Sequence, residues 1–284
     1  MKKFFFGAMI CASVMTVSCS SESEDFNVQS SMFNETTEVS MTFSPYEVES
    51  MTRATTSIAE VVTRLDVWLY ESGSEVQAIH QSSSDDGFGS LSVTLNKTKT
   101  YTLYAVAHRA GGAATLADGV ISFPEDKITH SMYYTETFSP STKSSLSCLM
   151  QRIVAQFSFT TTDAAPEDAT KMTFTLGSVY NRWNVSTGAT NSLDRVSTFN
   201  NFSRKDDGTV GFNIFAIVTD AQTLHTVTVK TYDADDKELQ SRTFTDVPLR
   251  NGYRTTYTGV YFTNTPTTAA FTVGDWQEFA AVNF

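Results

Sequence analysis

Ile153-Val154-Ala155-Gln156-Phe157-Ser158-Phe159-Thr160 decides the fold class. Ile153, Ala155, Phe157 and Phe159 alternate with Val154, Gln156, Ser158 and Thr160, the period of two that turns one face of a strand inward. The same period recurs on both sides. Upstream, Leu65, Val67 and Leu69 alternate with Asp66, Trp68 and Tyr70, and Leu91, Val93 and Leu95 alternate with Ser92, Thr94 and Asn96. Tyr101, Leu103 and Ala105 interleave with Thr102, Tyr104 and Val106. Downstream, Met172, Phe174 and Leu176 repeat the pattern, and Phe212, Ile214 and Ala216 start just after Gly211. Val227 and Val229 lie in a Thr-rich run of strong strand formers. Asp85-Asp86-Gly87, Asp206-Asp207-Gly208 and Asp233 to Asp236 read as hairpin turns between such runs. No stretch sustains a helical period with caps, so the class is all-β. The small-residue run Ala110 to Gly119 reads as a loop or a short helix.

At 284 residues the chain exceeds one average domain, and two domains would each bury an adequate core. The polar run Ser139-Pro140-Ser141-Thr142-Lys143-Ser144-Ser145 is the expected passage between them. The expected division is one two-layer sandwich over residues 54–144 and a second over 145–284. No internal repeat is evident.

The N-terminus carries an export signal. Lys2 and Lys3 form a positive start, Phe4 to Val17 a short apolar run, and Ser18 the small residue before a cut. The run falls short of the roughly 20 apolar residues that a permanent membrane span needs. Residues 1–18 are therefore a cleavable signal peptide. Cys19 directly after Ser18 resembles a bacterial lipobox, with Thr16 standing where Leu is usual, and is the expected lipidation site. The acidic run after it, Ser20 to Asp25, looks like the surface-export signals of Bacteroidetes lipoproteins; a plain solvated tether is the competing reading.

The net charge of −11 argues against nucleic acid, because phosphate binding needs clustered Lys and Arg. With Cys11 lost in the signal peptide and Cys19 acylated, Cys148 alone remains in the body. No intramolecular disulfide is then possible, and Cys148, between apolar neighbours, reads as a small buried hydrophobe. His80, His108, His130 and His225 have no partner at a metal-ligand spacing, so no metal is expected. No nucleophile elbow, phosphate loop or dinucleotide fingerprint occurs, and neither a cofactor nor enzymatic activity is expected. The Asp-rich turns lack the spacing of an ordered calcium loop. Trp68, Trp183 and Trp276 could stack on sugars or, as is commoner in a sandwich, pack its core.

Met150 to Phe159, MQRIVAQFSF, is similar to the strand that opens the C-terminal domain of fimbrillins, the pilin-like subunits of Bacteroidales type V fimbriae. Val247 to Phe262, VPLRNGYRTTYTGVYF, looks like that family's late strand pair, and Phe271 to Trp276, FTVGDW, resembles its terminal strand. The step Met51-Thr52-Arg53-Ala54 after a lipidated leader completes the likeness.

The resemblance implies two tandem transthyretin-like β-sandwich domains and a structural role in a cell-surface fimbrium that supports adhesion. It implies export to the outer membrane on a lipid at Cys19, then cutting between Arg53 and Ala54 by an extracellular Arg-specific protease. The cut would free a leader strand, Val39 to Phe43 with Tyr46 to Val48, from the N-terminal sandwich. A strand from another fimbrial subunit would then fill the vacated groove. The candidate donor is Ala270 to Phe284, with Phe271, Val273, Trp276, Phe279, Val282 and Phe284 as groove-filling residues. Two readings compete: a glycan-binding surface lipoprotein, and an anchor or terminating fimbrial subunit left uncut. Residues 270–284 could also be the last strand of their own domain.

Overall fold

The computed structural model describes residues 35–45, 57–263 and 269–275. Seventeen strands carry almost all of the regular structure. They are β1 (Thr36–Pro45), β2 (Arg64–Glu71), β3 (Ser74–Ser82), β4 (Ser90–Asn96), β5 (Tyr101–His108), β6 (Thr115–Ala117), β7 (Val120–Ser122), β8 (Met132–Phe138) and β9 (Ser145–Arg152). There follow β10 (Ala155–Thr161), β11 (Lys171–Asn184), β12 (Gly188–Asn200), β13 (Gly211–Ala216), β14 (Thr223–Tyr232), β15 (Glu238–Leu249), β16 (Tyr253–Gly259) and β17 (Phe271–Asp275). A single-turn helix, α1 (Ile58–Val61), and a 3-10 turn at Pro124–Asp126 are the only helical pieces among the described residues. The all-β expectation therefore holds.

The first sheet runs β3-β2-β5-β8-β9-β1-β4. Strand β9 joins its two layers: Met132 and Tyr133 of β8 pair with its end, while Ser145 to Met150 pair with β1. Between the layers lies one apolar cluster. It takes Leu65, Val67 and Leu69 from β2, Leu103, Ala105 and Ala107 from β5, and Leu146, Cys148 and Met150 from β9. A second sandwich faces a four-stranded sheet, β13-β10-β16-β17, against a six-stranded one, β15-β14-β11-β7-β6 with β12 beside β11. Phe157, Phe159, Met172, Phe174, Val227, Val229, Phe244 and Tyr257 fill it, and Phe159 stacks on Tyr257 at 5.1 Å.

Two local expectations are corrected. The polar run around 139–147 is not a passage between sandwiches: it connects β8 to β9 within the first sheet, and the chain crosses at Ile153 and Val154. Polar composition marks any solvent-facing turn, and a turn inside a sheet looks the same as a linker. The run Ala110 to Gly119 contains a strand, β6, which with β7 joins the sheet of the second sandwich through β11. The outward positions of several strands are also buried. Trp68, Val106, Phe123, Ile128, Ile153, Val154 and Ile217 form a third buried cluster on the outer faces of β2 and β5.

Candidate assembly site at the leader strand

Strand β1 is the described part of the expected leader. Val39, Met41 and Phe43 point into the first core, at 0%, 1% and 3% exposure, while Glu38, Ser40 and Thr42 face outward. The alternation T-E-V-S-M-T-F alone dictates this, since a slip of one residue would turn all three apolar groups to water. On one side β1 runs parallel to β9, from Ser40 opposite Ser145 to Pro45 opposite Met150. On the other it runs antiparallel to β4, from Thr36 opposite Asn96 to Thr42 opposite Ser90.

Strand β4 has no other strand partner among the described residues. The β1–β4 ladder is closed at Gly89, whose carbonyl accepts from the Phe43 N–H at 2.8 Å. Gly89 has φ of +86°, and a Cβ there would lie 2.4 Å from Cγ2 of Ile58. Only glycine fits both the backbone and the gap.

Cys19, Arg53, Ala54 and the segment Tyr46 to Val48 lie outside the described residues. The chain is described again from Ser57, whose hydroxyl accepts from the Ala59 N–H at 3.3 Å and caps α1. Ile58 and Val61 of that turn are buried in the same core as β1.

At the other end, β17 pairs antiparallel with β16, from Tyr257 opposite Phe271 to Tyr253 opposite Asp275. Phe271 packs on the second core, with ring centroids 6.0 Å from Phe244 and 6.1 Å from Tyr257. Val273 is half-buried on β16. Trp276, Phe279, Val282 and Phe284 lie outside the described residues. The structure thus seats the beginning of the expected donor segment in its own sheet.

Two buried polar groups escape a reading by spacing. Asp66, fully buried, accepts from His80 at 2.7 Å, from His108 at 2.9 Å and from the Ala114 N–H at 2.8 Å. Because Nδ1 of His108 accepts from the Ala110 N–H at 3.1 Å, its Nε2 carries the hydrogen toward Asp66. Both oxygens of the carboxylate are thereby engaged, and among the described residues no group of three His, Cys, Asp or Glu side chains could hold a metal ion. Cys148 lies in the first core, where burial above all pushes its thiol up to about 12, an inert hydrophobe at neutral pH. Trp68 is buried in the third cluster and Trp183 packs against Tyr133 at 5.7 Å, so these two form no exposed platform for sugars.

An all-β body with an N-terminal strand seated inside its first sandwich is the class of protein these features define. The chain belongs to a family of unknown function, DUF6562, whose sequence profile matches residues 126–281. No curated protein sequence matches it. Among solved structures, it is similar to a candidate adhesin from Bacteroides ovatus, at 13% identity and a TM-score of 0.52 over 85% of this chain and 95% of that one. A candidate adhesin from Bacteroides thetaiotaomicron superposes with a TM-score of 0.51 at 9% identity, over 85% of this chain and 97% of its own. The fimbrial anchor protein Mfa2 from Porphyromonas gingivalis follows at 0.45 and 12%, over 84% and 97%. The first two establish a shared fold.

Proposed function

We propose that the protein is a structural subunit of a cell-surface fimbrium in the fimbrillin manner, delivered as a lipoprotein on Cys19 and kept inert by β1 until a cut after Arg53. The observation that carries this reading is the seat of β1: three fully buried apolar side chains, in a strand flanked on both sides, immediately upstream of the expected cut. Burying each contributes roughly 1.5 to 3 kcal/mol, so β1 holds about 5 to 9 kcal/mol of the stability of the first sandwich. A small domain has about 5 to 15 kcal/mol in all. Cutting alone would not expel such a strand; a replacement must offer comparable burial.

The replacement is a strand of another subunit, with Ala270 to Phe284 as its source. Phe271 and Val273 would first have to leave β16, the one strand that pairs with β17 among the described residues. The two tandem sandwich domains, with the crossing at Ile153–Val154, then have separate tasks, the first accepting a strand and the second giving one. The implied partners are other fimbrial subunits, an extracellular Arg-specific protease and, before cutting, the outer membrane. Likeness of fold to candidate adhesins supports the surface setting.

The test is limited trypsin digestion of the purified precursor, followed by mass spectrometry and size analysis. Scission after Arg53 and growth of detergent-resistant multimers are expected, and Arg53→Ala should abolish both. A chain ending at Thr268 should be cut normally and fail to grow. Normal multimers from that truncation would overturn the donor assignment, and a β1 that stays cut but bound in the presence of other subunits would overturn the exchange itself.

A further inference from the structure

The second sandwich has an open flank. Among the described residues β12 pairs only with β11, and β13 only with β10, so the open edges of the two sheets border a cleft of about 880 Å³. Arg195 of β12 spans it at one point: Nη1 donates to the Phe215 carbonyl of β13 at 2.6 Å, and Nη2 to the Ile128 carbonyl at 3.2 Å. Arg109 and Arg254 line the same cleft.

None of these three guanidinium groups is paired with a carboxylate among the described residues. Arg195 is held by two carbonyls and the Ser197 hydroxyl, Arg109 by the carbonyls of Val61 and Glu60, and Arg254 by the side-chain oxygen of Gln156 at 2.7 Å. Burial lowers Arg195 to about 10, so it is a desolvated cation at neutral pH. Three cations without counter-ions in one cleft, on a chain of net charge −11, are not surface charge statistics. The carboxylates that also border the cleft are occupied or at its rim. Asp194 accepts from the Ser178 N–H at 2.9 Å, Asp126 pairs with Arg182 at 3.3 Å, and Glu60 and Glu125 are exposed.

Two carboxamides complete the site. Gln156 is 2% exposed and Asn181 5%, and both line the cleft. The oxygen of Gln156 is taken by Arg254 and that of Asn181 by the Asn191 side chain at 2.6 Å. Neither amide nitrogen donates to any described residue. Both nitrogens therefore keep their hydrogens available to a ligand in the cleft.

We infer that this cleft binds a saccharide that carries a carboxylate, a sugar acid of the uronic or sialic type. The unused groups are all donors, guanidinium and amide N–H, so the ligand must be rich in acceptors. A sugar acid is, through its carboxylate and ring oxygen, which only accept, and its hydroxyls, which can rotate to accept. A peptide brings an N–H with nearly every carbonyl, and the oxygens of Gln156 and Asn181 that might receive it are already engaged. The guanidinium groups take the carboxylate, a charge-assisted contact that neutral sugars cannot offer. This site lies along the open flank of the second sandwich, with Arg109 contributed from beside β5 of the first, and stands independently of the leader-strand reading.

Isothermal titration of the full-length protein with sialyllactose, trigalacturonic acid, lactose and tetraglutamate tests it. One of the two sugar acids is expected to bind one-to-one, which identifies the source of the carboxylate. Its affinity should fall between about 20 and 150 mM salt, and lactose should be at least about tenfold weaker. Arg254→Gln and Arg195→Gln should each weaken binding about tenfold or more, and Arg250→Gln, outside the cleft, should leave it unchanged. Arg195 also ties β12 to β13, so if that variant melts early, Arg254→Gln, whose side chain bonds only to Gln156, decides. Absence of millimolar binding by either sugar acid, equal binding of lactose, binding of tetraglutamate as tight as that of the sugar acid, or indifference to Arg254→Gln overturns the inference.

Discussion

Asp66 shows what the alternation of a strand conceals. It occupies a polar position between Leu65 and Val67, and polar positions of a half-buried strand ordinarily meet water. Here the third apolar cluster covers that face, so the carboxylate is buried and must be satisfied internally, by His80, His108 and the Ala114 N–H. Gln156 is buried at the equivalent position of β10, at the floor of the cleft. Neither fate is legible in the sequence, because both depend on loop residues around 110–130 returning over the outer faces. Asp66→Ala should strand two buried donors, each costing about 1 to 3 kcal/mol, and lower the urea-unfolding free energy by about 2 to 5 kcal/mol. A loss below about 0.5 kcal/mol would mean that the donors find other acceptors. Titration adds a second expectation. Burial, then Arg152 and Arg109, lower His130 well below its usual range. Its stabilisation is thus fully present above about pH 6.5 and lost as pH falls, because only the unfolded chain takes up the proton. Cys148 works in the opposite sense: the folded thiol keeps its proton up to about 12, so stability is lost as pH rises from about 9 toward that value. Urea midpoints measured from pH 5 to 11 should form a plateau near neutrality, with the acid limb flattened by His130→Gln and the alkaline limb by Cys148→Ala.

Among elements, the strands themselves were the most legible part. Every quoted period-two run lies on a strand except the start of the first, where Ile153 and Val154 precede β10 and join the third cluster, and the apolar members on the strands face a core, because that period has one physical meaning when one face is buried. Allegiance was not legible. Strand β9 was expected to open the second sandwich, yet its S-L-S-C-L-M pattern fits equally well beside β1, and only the parallel ladder to β1 decides it. The short β6 and β7 lack the length for a period to show, so they emerge only through their partner β11. Strand β1, the proposed leader, yields the clearest element-scale expectation. Since β4 pairs with β1 alone among the described residues, removal of β1 leaves seven residues with no described ladder on either side. After scission at Arg53 and removal of the leader under mild denaturant, amide exchange in β4 should accelerate by orders of magnitude while β2 and β5 stay protected. Adding back a peptide of residues 36–48 should restore protection. Protection of β4 that survives without β1 would mean the groove closes on itself, and no incoming strand would be needed.

At the scale of the molecule, two cores, one for each sandwich, are joined by the third cluster, and charge is the force that opposes bringing copies together. The chain holds 31 acidic and 20 basic residues, and loss of residues 1–53 removes seven of the former and three of the latter, which leaves −7. Like-charged bodies resist contact over about one Debye length, roughly 30 Å at 10 mM salt and about 8 Å at 0.15 M. Strand insertion itself is short-ranged and apolar, so its strength is nearly independent of salt, whereas the approach that precedes it is not. Growth of multimers from the cut protein should therefore speed up several-fold between 10 and 150 mM salt and change little beyond that, while the multimers, once formed, resist dilution into low salt. Light scattering after a salt jump reads the first quantity and size analysis after dilution the second. Growth that slows with salt would mean that opposite charges, and not buried side chains, bring the subunits together, and the strand-exchange mechanism would lose its driving force.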